Sequence, residues 1–97
     1  MITSKQRSFL RGLAHNQDPL VYIGKGGLTG NVIKEIDICL EGRELVKVKL
    51  QDSCDLQAKD VANQVAEKLG AEFVQAIGHK FTLYRESKEN KQIELPR

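Results

Sequence analysis

Gly24-Lys25-Gly26-Gly27 carries the clearest chemical pattern in the sequence. Glycines have no Cβ, so a backbone built from them can approach a ligand closely and adopt positive φ without steric cost. The apolar run Leu20-Val21-Tyr22-Ile23 before them reads as a short strand, apolar on both faces and buried. Thr29 after them reads as the N-cap of a helix. A loop that opens onto a helix N-terminus presents unpaired amide donors and the positive end of the helix dipole, which is chemistry for an anion. Lys25 adds a mobile cation at the same place. Together these groups suit a phosphate.

Three phosphate-binding patterns compete for this loop. A Walker A loop requires GxxxxGK followed by Ser or Thr, and no segment of the chain has it. A dinucleotide fingerprint requires GxGxxG. Gly24 and Gly26 supply its first two glycines, but Thr29 stands at the third and Gly30 is one residue late. A GxxG clamp on a nucleic-acid backbone fits without adjustment. GxxG alone is a weak motif, and the same glycines would also serve a tight turn that binds nothing.

Charge distribution adds weight to the anion reading. The 97 residues carry a formal net charge of only +2. Residues 1–34, however, hold five basic side chains against one acidic, residues 35–84 six against nine, and residues 85–97 four against three. A basic segment beside an acidic one predicts a surface with one face attractive to anions. The candidates for that face are Lys5, Arg7, Arg11, Lys34, Lys47 and Lys49, beside the loop residues Gly24, Lys25, Gly26 and Gly27. For any single lysine, ordinary solvation is the better reading; the aggregate is what points to a nucleic acid. Tyr22 and Tyr84 are too few for a base-stacking platform and read as packing residues.

Evidence for catalysis is thin. His15 and His79 lie far apart in a chain with no nucleophile elbow and no zinc motif. Cys39 and Cys54 form no CxxC pair and read as reduced thiols, with Cys39 at least partly buried. The expectation is therefore no enzyme, no cofactor, no metal and no small-molecule substrate. The first residues are polar and basic, and no run approaches the roughly 20 apolar residues of a membrane span, so a cytoplasmic protein without a membrane partner is expected.

The elements that position these residues are legible from spacing. Thr3 and Gln6 have capping-box spacing and open a helix to about Asn16, with Phe9, Leu10, Leu13 and Ala14 as its apolar stripe. The second helix starts at Thr29, buries Val32, Ile33, Ile36, Cys39 and Leu40, and meets its cap at Gly42; Ile38 falls near its polar face. Leu45 to Leu50 alternates, with Val46, Val48 and Leu50 on one side and Lys47 and Lys49 on the other. Residues 55–69 form a third helix ending at Gly70, and two strands, 72–77 and 80–84, join at Gly78-His79. The order is α-β-α-β-α-β-β: one α/β domain over residues 1–85, with a four-stranded mixed sheet and helices packed against it. If the first three strands lie side by side, both crossover helices lie on one face of the sheet, and the hairpin adds one antiparallel strand. Residues 86–97 read as a polar tail, either disordered or laid on the domain.

These segments resemble the CRM domain (chloroplast RNA splicing and ribosome maturation) in its small stand-alone bacterial form. Lys5-Gln6-Arg7 with Leu10-Arg11 and Leu13-Ala14-His15 is similar to the opening helix of the family, and Gly24 to Thr29 to its GxxG loop and helix start. Glu44 to Lys49 resembles its second strand; Val74 to Gly78 and Leu83-Tyr84-Arg85 resemble its final hairpin; Glu86 to Lys91 and Ile93 to Pro96 match the tail of some members. The resemblance implies a fold similar to the C-terminal domain of translation initiation factor three and RNA binding through the loop. It also implies association with precursor RNA of the large ribosomal subunit during ribosome assembly. A monomer is expected. Two other readings stay open: a ribosome-associated protein-interaction adaptor whose RNA contacts are incidental, and a small phosphate-binding enzyme.

Overall fold

A computed structural model describes residues 2–97. Its elements are α1 (Ser4–Ala14), β1 (Val21–Ile23), α2 (Gly30–Arg43), β2 (Leu45–Leu50), α3 (Ala58–Leu69), β3 (Glu72–Ile77) and β4 (Lys80–Tyr84), the expected order in a single α/β domain.

Local side-chain chemistry sets most helix ends. The Thr3 hydroxyl accepts from the Gln6 N–H at 3.1 Å and the Gln6 side chain accepts from the Thr3 N–H at 2.9 Å, closing the capping box that starts α1. Thr29 accepts from the Val32 N–H at 3.2 Å and starts α2. Gly70 ends α3 in the left-handed conformation, at φ 66. The start of α3 is three residues later than position 55, at Ala58, and its N-cap Gln57 makes no side-chain cap hydrogen bond.

The end of α2 departs from expectation. The helix passes through Gly42 and stops at Glu44, a non-glycine residue at φ 68. Left-handed backbone costs a residue with a Cβ about 1–2 kcal/mol. Here the side chain supplies the compensation. The Glu44 carboxylate is fully buried and accepts from the backbone amides of Ser87 (2.8 Å), Gln92 (2.7 Å) and Ile93 (2.7 Å). Glu41, one turn earlier, accepts from the Ser87 hydroxyl at 2.7 Å. Residues 86–97 are therefore strapped to the domain. Ile93 and Leu95 pack on it, and the Pro96 carbonyl accepts from the Gln6 side chain at 2.9 Å.

The sheet order is β1-β2-β4-β3. Strands β1 and β2 are parallel, while β4 runs antiparallel to both β2 and β3. The hairpin thus does not add an outer strand to three parallel ones; it inserts β4 between β2 and β3. Burial accounts for the choice. Phe81, Thr82, Leu83 and Tyr84 of β4 are all buried, so this strand needs cover on both faces and both edges. β3 carries Glu72 and Gln75 and a register shift between Phe73 and Gln75, features that suit an edge and blunt it against further pairing.

Two apolar clusters lie on opposite faces of the sheet. The larger joins Val46, Val48, Leu50, Phe81 and Leu83 to Ile36 and Leu40 of α2 and Val61, Ala62 and Val65 of α3. Cys54 is buried in it and Cys39 packs on its border, both as free thiols. Burial, reinforced by the nearby Glu35 carboxylate, pushes the Cys39 thiol pKa up. The smaller cluster joins Leu10 and Ala14 of α1 to Leu45, Val74 and Tyr84. Only half of the expected α1 stripe is covered, since Phe9 and Leu13 remain 39% and 40% exposed. Ile38 is exposed on α2, and nothing in the structure accounts for it.

Within the glycine loop, positive φ is required at Gly27 alone, where φ is 70. A Cβ on Gly26 would meet only the Thr29 methyl group at 3.8 Å. Gly27→Ala is accordingly expected to cost about 1–2 kcal/mol, and Gly26→Ala less than about 0.5 kcal/mol. Urea unfolding of the two variants checks this, and equal stabilities would refute it.

Candidate functional site

The strand directions gather the candidate loop and two others at one end of the sheet. The C-terminal ends of β1, β2 and β3 meet there, beside the start of β4. Backbone bonds tie the end together. The Gln51 N–H donates to the Ile23 carbonyl at 2.8 Å, and the Leu50 N–H donates to the His79 carbonyl at 2.7 Å. The glycine loop folds on itself, with Gly27 N–H donating to the Gly24 carbonyl at 3.0 Å and Thr29 N–H to the Gly27 carbonyl at 3.1 Å. This leaves Lys25 and Gly26 at the exposed tip, next to the N-terminus of the 14-residue α2. Gly24 is the inner residue of the loop: a Cβ there would come within 2.8 Å of the Gln51 side-chain oxygen. The segment after β2, with Gln51, Ser53 and Leu56, backs the loop, a neighbourhood that the linear sequence does not reveal.

Lys47 and Lys49 project from β2 on the face opposite the larger cluster. Helix α1 and the tail cover the far half of this face, and the half nearest the loop is open. Register aligns one row of side chains across all four strands of the open half: Tyr22 pairs with Lys49, Lys49 with Lys80, and Lys80 with Ile77. A second row holds Lys47, Thr82 and Gln75. His15, from the end of α1, and His79, from the hairpin turn, close over these rows to form a pocket of about 370 Å³. No acidic side chain lines it. Among the described residues, Lys25, Lys47, Lys49 and Lys80 take part in no ion pair.

Of the remaining candidates, Arg7 and Arg11 come together, while Lys5 and Lys34 stand apart from them. Arg11 is exposed on α1 and shares a groove at the β3 edge with Arg7 and Lys59; Gln75 lines both this groove and the pocket of the open face. Arg7 donates from Nε to the Phe73 carbonyl at 3.0 Å, where the register of β3 shifts, so this residue clamps α1 to the sheet edge. Lys5 is exposed in the first turn of α1, ten residues and about 15 Å of helix before His15. It therefore sits at the end of the sheet away from the loop. Lys34 is exposed on α2, in the helix layer on the other side of the sheet from Lys47 and Lys49. Among the described residues no group of three His, Cys, Asp or Glu side chains could hold a metal ion, and no helix is long and apolar enough to cross a membrane.

The model of the CRS1/YhbY (CRM) domain family matches residues 2–85. The chain belongs to this family. It is 48% identical over 96 residues to YqeI of Bacillus subtilis, named as a probable RNA-binding protein, covering 99% of this chain and 100% of that protein. It is 43% identical over 97 residues to a Haemophilus influenzae protein named as RNA-binding, covering 99% and 96% of the two chains. The solution structure of a hypothetical protein from Staphylococcus aureus superposes with a TM-score of 0.79 at 50% identity, covering 99% of this chain and all of that one. The CRM model ends at Arg85, a structural keystone of the domain. Its guanidinium pairs with Asp37 at 2.6 Å and donates to the Leu69 carbonyl at 3.0 Å, linking β4 to both helices of the layer.

Sequence reasoning missed seven members of the open face: His15, Tyr22, Gln75, Ile77, His79, Lys80 and Thr82. Tyr22 reads from its apolar neighbours as a packing residue, yet it is 51% exposed, because β1 is an edge strand covered on one face only. Tyr84 is buried, as expected. Alternation along 80–84 does signal that Lys80 and Thr82 oppose Phe81 and Leu83. That Lys80 stands beside Lys49 follows only from the pairing of β2 with β4.

Proposed function

We propose that this CRM-family chain binds RNA by holding a backbone phosphate at the tip of the Gly24–Gly27 loop, with Lys25 and the lysines of the open sheet face contacting neighbouring phosphates. The observation that carries the reading is the tip itself. Lys25 and Gly26 are exposed at a helix N-terminus, and Lys47, Lys49 and Lys80, which form no ion pair among the described residues, share that end of the sheet. Amides and cations converging on one place form an anion site, and a run of cations beyond it suits a polyanion. The RNA-binding names of the Bacillus and Haemophilus relatives support the same ligand. The finer reading is the one the family resemblance implies: precursor RNA of the large ribosomal subunit, bound in the cytoplasm during ribosome assembly, with no catalytic step.

Filter-binding titration with structured large-subunit ribosomal RNA tests the loop. Lys25→Ala removes one exposed charge, so stability should change by less than about 0.5 kcal/mol. Affinity should fall by roughly 3- to 10-fold, since one phosphate contact and its counterion release are lost. Gly26→Asp should bind still more weakly, because a carboxylate then faces the phosphate. This variant is sterically clean, since the left-handed residue is Gly27 and not Gly26. A folded Gly26→Asp protein with wild-type affinity would sink the loop reading. An adaptor with incidental RNA contacts would bind this RNA no better than a neutral protein of equal size.

A further inference from the structure

We propose that the open half of the sheet is a base-contacting platform for unpaired ribonucleotides, with Tyr22 as its stacking residue. The inference rests on the RNA reading above and adds to it the strandedness of the ligand and a second contact surface.

Three observations carry it. The row Tyr22, Lys49, Lys80, Ile77 crosses all four strands in register, so neighbouring side chains start about 4.8 Å apart on one face of the sheet. Its two ends are apolar and uncovered, with Tyr22 51% and Ile77 69% exposed, while its middle is cationic. An exposed aromatic face beside lysines is the pairing that single-stranded nucleic acid uses: the ring stacks on a base and the ammonium groups meet the phosphates. The pocket behind the row then offers directional polar groups. The half-buried Gln75 amide and the exposed His15 and His79 imidazoles line it, over a buried Thr82. Gln75 makes no side-chain hydrogen bond to another described residue, so its amide can meet the polar edge of a base.

Charge complementarity selects a polyanion, since among the described residues no carboxylate lines the pocket and its lysines take part in no ion pair. The aromatic and apolar ends favour unpaired bases over an acidic peptide, which has no flat π-face to stack. A paired helix buries its base faces and could use only the lysines. The platform adjoins the glycine loop through the Ile23–Gln51 and Leu50–His79 bonds, so one strand can run from the loop across the sheet.

Titration of the full chain with a uridine dodecamer, and with an RNA duplex of equal phosphate count at the same salt, tests the platform. Tyr22→Ala should weaken dodecamer binding roughly 5- to 150-fold, the range for loss of one base–aromatic stack, and leave duplex binding unchanged. Tyr22→Phe should keep dodecamer affinity, because the ring and not the hydroxyl is used. A spectroscopic readout is available as well. The chain has two tyrosines and no tryptophan, and Tyr84 is buried. The dodecamer should therefore quench tyrosine emission in the wild type and not in Tyr22→Ala. Wild-type dodecamer affinity in a folded Tyr22→Ala protein would overturn the platform; if Gly26→Asp still weakens binding to both RNAs, the loop reading survives alone. Failure of the wild type to bind either RNA would remove both readings. A polyglutamate peptide bound as tightly as the dodecamer, with the same loss in Tyr22→Ala, would reassign the face to an acidic protein.

Discussion

Raising salt from 50 to 200 mM is expected to weaken RNA binding by roughly 20- to 150-fold, on the basis of three to four phosphates neutralised at about 0.7–0.9 log units each per log unit of salt. The cations responsible are Lys25 at the loop tip and Lys47, Lys49 and Lys80 on the open face. All four lack carboxylate partners among the described residues, so binding need break no internal ion pair. Each should contribute separately to the slope. Lys25→Ala should make it shallower by about one phosphate's worth, and so should Lys80→Ala. Lys5→Ala should leave it nearly unchanged, because the fold places Lys5 at the far end of α1; Lys34, about one turn into α2 from the loop, should have a smaller effect than Lys25. A flat salt response over this range would count against the RNA reading as a whole. A steep slope unaffected by Lys25→Ala and Lys80→Ala, but reduced by Lys34→Ala, would move the interface to the helical layer.

Glu44→Ala should be the most destabilising substitution of a charged residue in the domain, by about 3 kcal/mol. It leaves three backbone amides of the tail without their acceptor, and each unmet buried group costs about 1–3 kcal/mol, reduced where water can reach it. For a domain of this size that loss lowers Tm by roughly 10–20 °C. Glu44→Gly should cost about 1 kcal/mol less than Glu44→Ala, since glycine adopts φ 68 without strain. Thermal melts of the two variants check both magnitude and order. A Glu44→Ala protein melting within two degrees of wild type would show that the strap contributes nothing.

Acid should release the same strap. Burial alone raises the Glu44 carboxyl pKa, but the amides of Ser87, Gln92 and Ile93 outweigh it and hold the value below the ordinary one. The Ser87 hydroxyl does the same for Glu41. A carboxylate with a lowered folded pKa binds fewer protons in the native state than in the unfolded one. Its stabilisation is therefore complete above about pH 5, beyond the ordinary carboxylate value, and is lost as the pH falls through the lowered one. The Glu44 variants should show a correspondingly weaker dependence on pH in that acid range. Hydrogen exchange at the amides of Ser87, Gln92 and Ile93, followed from pH 6 to pH 3 and corrected for intrinsic rates, reports the release directly.

The glycine loop, its strand and its helix were legible in the sequence, and so were the seven elements in order. The signals there are local: a capping box at Thr3 and Gln6, a hydroxyl cap at Thr29, alternation from Leu45 to Leu50, and left-handed glycines at Gly70 and Gly78. Each is decided by neighbours a few residues away, so a linear reading captures it. What only the tertiary structure decided lies in pairings between distant residues. Gly42 looks like the end of α2, but Glu44 is the end, because its carboxylate finds amides more than forty residues later. Tyr22 sits in an apolar run and looks buried, but β1 is an edge strand with only one face covered. Lys80 becomes a neighbour of Lys49 because β4 inserts beside β2. Alternation tells which residues of one strand share a side. Which strand lies next to it depends on burying Phe81, Thr82, Leu83 and Tyr84 on both faces, and that is settled by the free energy of the whole sheet.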